Sequence, residues 1–202
     1  MEGLNIESQI LAKMKQAKVG KLFFPDMFSD LAENAAIRKA LQRLTGKGSI
    51  TRVAQGIYVI PQNSSLVGQI MPGAEAVAAA IAKRDKIKIV PTGYQAQYLL
   101  GLSTQIPIKV VYLTDGVQRI IHVGKQTINF KKTAPKTLAA KGEISSLVIQ
   151  ALKTIGKEYV TETEKNIVLN HLKNEKQELI KHDLKLAPQW IGDIMKEALK
   201  QE

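Results

Sequence analysis

The amino-acid sequence predicts an α+β fold on three observations. Apolar residues recur at helical spacing near the start of the chain and again over 143–199. Short runs rich in β-branched and aromatic residues, bounded by Gly, Asn and Asp, occupy 49–60 and 86–130. The 202 residues are 45% hydrophobic and 23% charged, enough to bury a core in one large or two modest domains, which excludes a disordered tail.

Ile6, Ile10, Met14 and Ala17 form one stripe of a first helix that starts after Asn5 as N-cap and stops at Gly20. Phe23 and Phe24 precede Pro25-Asp26, a first helical turn, and Met27, Phe28 and Leu31 supply the apolar side of a short second helix closed at Glu33-Asn34. In a third helix, from Ala35 to about Thr45, Ile37, Ala40, Leu41 and Leu44 share one arc, and Arg38, Lys39, Gln42 and Arg43 lie opposite. Gly46-Lys47-Gly48 ends it, and SITRV and GIYVI, separated by Ala54-Gln55-Gly56, read as a hairpin.

Three short helices followed at once by a hairpin is the order of a winged helix-turn-helix, placed here over residues 1–61. In that arrangement the third helix enters the DNA major groove and the hairpin lies along the phosphate backbone. Arg38, Gln42 and Arg43 suit guanine and adenine edges, and Lys39, Lys47, Arg52 and Gln55 are placed for phosphates. A basic exposed arc is also the ordinary wet face of a helix. Two features favour DNA: no acidic residue lies between Asn34 and Glu75, and the hairpin follows at the winged-helix spacing. Winged helices also serve as protein-interaction modules, so that alternative stays open.

Gln62-Asn63-Ser64-Ser65 after Pro61 reads as a linker, with a second, α+β domain over 66–202. Its expected elements are an Ala-rich helix from Pro72-Gly73 to Lys83, a strand at Lys86–Val90 and a helix from Gly93 to Leu100. Strands at Lys109–Leu113, Arg119–Val123 and Thr127–Phe130 then form a small antiparallel meander, its first turn signalled by Asp115-Gly116. A basic loop leads to helices near Glu143–Ile155, Glu164–Leu172, Glu175–His182 and Pro188–Leu199, so that 142–202 is mainly helical. Trp190 sits with Ile191, Ile194 and Met195 and reads as core packing of the last helix.

The formal net charge is +11, which predicts an anionic partner. It divides unevenly: +4 over 1–61, +8 over 62–141 and −1 over 142–202. Lys131, Lys132, Lys136 and Lys141 cluster in the middle segment and are candidates for docking an acidic protein, against the plainer reading of a solvated loop.

Cysteine is absent, which excludes disulfides, thiolate nucleophiles and Cys-ligated zinc. Of the three histidines, His171 and His182 are not at the i, i+4 spacing of a helical metal site, and His122 falls in a strand. Asp115 is explained by its turn, and no P-loop or Gly-x-Ser-x-Gly elbow is present. The expectation is a protein with no catalytic site, metal or cofactor. The first ten residues lack a basic stretch followed by an apolar core, and the uncharged run Ile89–Ile108 is too rich in Pro, Gly and polar residues for a membrane span. A cytoplasmic location without membrane association is therefore expected.

The segments GSITRVAQGIYVIP and PTGYQAQYLLGLSTQIPIKVVYLTDG resemble the AbiEi-type antitoxins, regulators of type IV toxin–antitoxin and abortive-infection systems, from about residue 6 to 130. The resemblance implies an N-terminal winged helix that binds inverted repeats in its own promoter, as a homodimer on DNA. It also implies a C-terminal domain that helps counteract a nucleotidyltransferase-like toxin. The family's basic DNA-binding role falls on Arg38, Lys39, Arg43, Lys47 and Arg52. Two other functions compete: a protein-interaction module that neutralises a toxin without specific DNA binding, and a nucleic-acid-processing enzyme.

Overall fold

The computed structural model describes residues 5–64 and 68–200. They fall into two compact units: one comprises the described residues up to Ala80 with Ile121–Gly124, the other Ile81–Ile120 and the described residues from Lys125 on.

In the first unit, α1 (Ile6–Lys15) starts where Asn5 accepts the Glu7 N–H at 3.2 Å, and it buries Glu7, Ile10 and Met14. The helix stops five residues short of Gly20, the expected end. A full second helix does not form. Pro25–Phe28 makes one 3-10 turn, and its hydrogen bonds, Met27 to Phe24, Ser29 to Asp26 and Leu31 to Phe28, all span three residues. The short polar residues Ser29 and Asp30 follow, types that favour turns over helix continuation, while Phe28 is buried with its ring stacked on Phe23 at 6.0 Å. Lys13 fastens this turn to α1 through the Met27 carbonyl (2.9 Å) and Asp30 (2.7 Å).

Helix α2 (Asn34–Gly46) buries Ile37, Ala40, Leu41 and Leu44, as their spacing predicts. Gly48, with φ of 69°, takes the left-handed conformation that turns the chain out of the helix, and the Ser49 N–H returns to the Leu44 carbonyl at 3.0 Å. Strands β1 (Thr51–Ala54) and β2 (Ile57–Val59) form the expected antiparallel hairpin, with Thr51 opposite Val59 and Arg52 opposite Tyr58. Phe23 adds to its edge, exchanging hydrogen bonds with Tyr58 at 2.8 and 2.9 Å.

Gln62–Ser64, expected to be part of a linker, is instead strand β3, paired antiparallel with β4 (Gly68–Ile70). Polar residues suit an exposed strand pair as well as a linker, and the Gln69 amide donates to the Thr51 hydroxyl at 2.8 Å; Ser65, the last residue of the expected linker, lies outside the described residues. The two compact units divide within α3 (Ala74–Asp85).

In the second unit β5 (Ile89–Thr92) is followed by α4 (Tyr94–Leu99), then β6 (Lys109–Thr114) and β8 (Gln126–Lys132); the strand between them, β7 (Arg119–Val123), starts in this unit, while its Ile121–Val123 belong to the first. The expected antiparallel meander is not what forms. The sheet is mixed, in the order β5-β6-β8-β7: β5 pairs antiparallel with β6, and β6 runs parallel to β8. The Asp-Gly turn explains this. Asp115 accepts the Lys88 N–H at 2.9 Å and the Thr114 hydroxyl donates to the Lys88 carbonyl at 2.8 Å, so the turn is tied to the approach to β5 rather than closing β6 onto β7. The vacant place beside β6 goes to β8, which buries Ile128 and Phe130 and stacks Phe130 on Tyr112 at 5.9 Å.

Asp85 joins the end of α3 to β7, accepting from Arg84 at 2.6 Å and from Arg119, whose guanidinium also covers the Phe130 ring at 5.4 Å. Arg84 first, then Arg119, hold its carboxyl below the usual carboxylate range against the opposing effect of burial. A lowered folded pKa stabilises the fold above the unfolded value of about 3.9 and ceases to do so as pH falls through the folded value. Asp85→Asn should therefore melt below wild type at pH 7, with the gap constant down to about pH 5 and closing at lower pH. Melting curves from pH 7 to 2 check this, and a gap that widens toward acid contradicts it.

The C-terminal helices are α5 (Glu143–Ile155), α6 (Glu162–Leu172), α7 (Gln177–Asp183) and α8 (Gln189–Ala198). Their core joins Val148 and Leu152 of α5 to Val168, Leu172, Ile180, Ile191 and Met195, with Trp190 packed against it. Two carboxylates close the start of α5. Asp183, fully buried, accepts from the Gly142 N–H (2.8 Å), the Lys141 N–H (3.0 Å) and His182 Nδ1 (2.7 Å). Glu175 accepts from the Ser145 N–H and hydroxyl, both at 2.6 Å. A Cβ at position 142 would lie 2.6 Å from the Glu175 carboxyl carbon, so a side chain there would push this carboxylate off the start of α5.

Candidate nucleic-acid interface

Helix α2 has two exposed flanks beside its buried stripe. Arg38, Gln42 and Thr45, at i, i+4 and i+7, run down one flank and face the hairpin. Directly opposed residues of an antiparallel pair point to the same side, so Arg52 and Tyr58 lie on one face of the hairpin. Together with Pro25, Gln55 and Gly56 at the hairpin tip they enclose a groove of about 540 Å³. Its lining holds two guanidiniums, two carboxamides, the Tyr58 hydroxyl and the Thr45 hydroxyl, whose own proton goes to the Leu41 carbonyl at 2.8 Å, and no carboxylate. That donor set matches phosphate oxygens and the major-groove edges of purines.

The other flank carries Arg43 and Lys47, one turn apart, and both point to Glu7 of α1, at 3.3 and 2.6 Å. Lys47 chiefly, and Arg43 after it, hold the Glu7 carboxyl below the usual carboxylate range, against the burial that pushes it up. Lys39 is exposed on the arc between the flanks and lines neither feature.

The structure thus brings together Arg38, Gln42, Arg52 and Gln55, and sets Arg43 and Lys47 apart as ion-pair partners. Glu7 is the residue that sequence reasoning passed over. Its signal was available: Glu7, Ile10 and Met14 share the buried stripe of α1, and an acid at a core-facing position requires a cation or a set of donors. Thr45 and Tyr58 also line the groove without having been anticipated.

In the second unit Lys131 and Lys132 end β8, Lys136 lies in the 3-10 turn Pro135–Leu138, and Lys141 precedes α5; all four are exposed. His171 Nε2 is 3.0 Å from the Leu100 carbonyl oxygen, and His182 is engaged by Asp183. Among the described residues no three His, Asp or Glu side chains gather as a metal site, and no helix is long and apolar enough to cross a membrane.

The fold and the groove together define a two-unit α+β protein whose first unit presents a helix and a hairpin around a basic cleft. The chain belongs to DUF6088, a family of unknown function, which matches residues 9–180. No curated protein matches the sequence.

Proposed function

We propose that the chain is a cytoplasmic, sequence-specific DNA-binding transcriptional regulator that reads duplex DNA with α2 and steadies it with the β1–β2 hairpin. The observation that carries this is the convergence of Arg38 and Gln42 on α2 with Arg52 and Gln55 on the hairpin around one carboxylate-free groove. The site has the donors for phosphate and purine contacts. The first unit departs from a full winged helix-turn-helix in having a single 3-10 turn where the second helix would stand. The element that reads bases in that scheme, α2, is nevertheless complete and is followed by its hairpin.

The test is a mobility shift with the full-length chain on duplexes tiling the region upstream of its own gene, against unrelated duplex of equal length. A shift confined to particular tiles supports the reading, and equal retention of all duplexes, or of none, counts against it.

The resemblance to AbiEi-type antitoxins extends the proposal: the protein represses its own operon, as a homodimer on inverted repeats, and its second unit counteracts a nucleotidyltransferase-like toxin. The exposed lysines 131, 132, 136 and 141 are the surface offered for that partner. Coexpression with the product of the adjacent gene followed by pull-down at low salt is expected to recover both chains, with loss of the complex when the four lysines are changed to glutamate. Recovery of the regulator alone would remove the antitoxin part and leave DNA binding standing.

A further inference from the structure

The flank of α2 that faces away from the hairpin displays an arrangement that a simple brace between helices does not require. Glu7 is 7% exposed, whereas Arg43 and Lys47, which both bind it, remain 64% exposed. Each cation donates one N–H inward to the carboxylate, and a guanidinium and an ammonium carry five and three donors respectively. Most of their hydrogen-bonding capacity therefore faces solvent, from side chains whose direction is already fixed. One negative charge against two positive ones leaves this flank net positive.

The shape of the duplex gives the flank a use. An α-helix with its side chains is about 10 Å across and fills a major groove about 12 Å wide, so both phosphate walls of the groove come within reach of its two sides. The hairpin groove, with Arg38, Gln42, Arg52 and Gln55, takes one wall and the bases beside it. Arg43 and Lys47 face the other way.

We infer that Glu7 is a positioning residue, holding Arg43 and Lys47 as a two-cation clamp for the DNA backbone on the groove wall opposite the hairpin. The inference rests on the DNA-binding reading above. Long side chains lose rotamer freedom when they grip a phosphate, and a buried carboxylate that orients them beforehand reduces that loss at the moment of binding. Its burial also keeps its own charge behind the cations, away from the phosphate.

The experiment uses the full-length chain, the upstream duplex it retains best and an unrelated duplex, with affinity measured across a salt series. Each phosphate neutralised contributes about 0.9 to the slope of log affinity against log salt. Arg43→Ala and Lys47→Ala should each lower that slope by about 0.9 on the retained duplex. Glu7→Gln removes a negative charge and releases both cations. It should raise affinity for unrelated duplex while reducing the preference for the retained one by about tenfold. Circular dichroism confirms that each variant is folded; if Glu7→Gln is not, the slopes of the two cation variants decide alone.

Unchanged slopes in both cation variants, against a wild type that does bind its duplex, overturn the clamp and leave the DNA reading intact. So does a Glu7→Gln variant whose affinities for the two duplexes are unchanged or rise by the same factor, the results of a brace and of plain charge removal. A wild type that prefers no duplex overturns the DNA reading, and the clamp with it.

Discussion

Asp183→Ala is expected to lower the melting temperature by on the order of 10 °C. Asp183 is fully buried and accepts hydrogen bonds from the backbone N–H groups of Lys141 and Gly142 and from His182. Alanine leaves the buried Gly142 N–H without its acceptor and opens a void beneath the start of α5. A buried donor left unpaired costs about 1–3 kcal/mol, and hydrogen bonds to a charged acceptor are at the stronger end of that range. Together these amount to about 3 kcal/mol, and for a chain of this size each kcal/mol shifts the midpoint by about 2–4 °C. Asp183→Asn should lose less, because it keeps one oxygen acceptor while setting an NH2 group where the other stood. Lys131→Ala, at an exposed position, should stay within about 0.5 kcal/mol of wild type. Urea and thermal unfolding of the three variants check the ranking, and an Asp183→Ala variant as stable as the Lys131 control would mean that water serves these donors equally well.

The importance of Asp183 was not legible in the sequence, and the reason is general. Helical periodicity and caps are local, so α5 was read to the residue and α2 nearly so, from Ile37, Ala40, Leu41 and Leu44. Asp183 and Glu175 cap a helix that begins some thirty to forty residues earlier, a partnership that no spacing rule encodes. The sheet failed for a related reason. Asp115-Gly116 is a hairpin signal taken alone, but the Asp115 side chain is taken by the backbone of Lys88, just before β5, and β6 pairs in parallel with β8, long-range contacts that no local signal carries. Polar runs were ambiguous in a different way: Gln62–Ser64 has the composition of a linker and the pairing of a strand.

The candidate site shows the same division. Residue types and the α2 arc placed Arg38 and Gln42 correctly on an exposed face, and the hairpin placed Arg52 and Gln55. Helical spacing sets Arg38 and Arg43 on different flanks, but what each flank meets depends on where α1 packs, so their different partners emerge only with Glu7 in place. The uneven charge is sharpened as well. The first unit's cations are partly committed to Glu7 and Asp30, and the four exposed lysines of the second unit lie outside the groove.

Arg38 and Arg52 line the same groove, but on different elements, and their replacement should fail in different ways. Arg38 lies on α2, the element that would face the bases; a bidentate arginine–guanine contact is worth about 1–3 kcal/mol of discrimination, roughly 5- to 150-fold in affinity. Arg38→Ala should therefore weaken binding to the retained upstream duplex far more than to unrelated DNA, and relax selectivity at one base pair. Arg52 projects from the hairpin, which would lie along the backbone, so Arg52→Ala should weaken both duplexes alike and lower the salt slope by about 0.9. The double variant should combine the two signatures, with some departure from additivity because both side chains share one cleft. Titrations of the single and double variants at two salt concentrations separate these outcomes. If Arg38→Ala behaves like Arg52→Ala, losing affinity uniformly across sequences, then α2 grips the backbone rather than reading bases, and sequence selection must come from Gln42 or from the shape of the duplex.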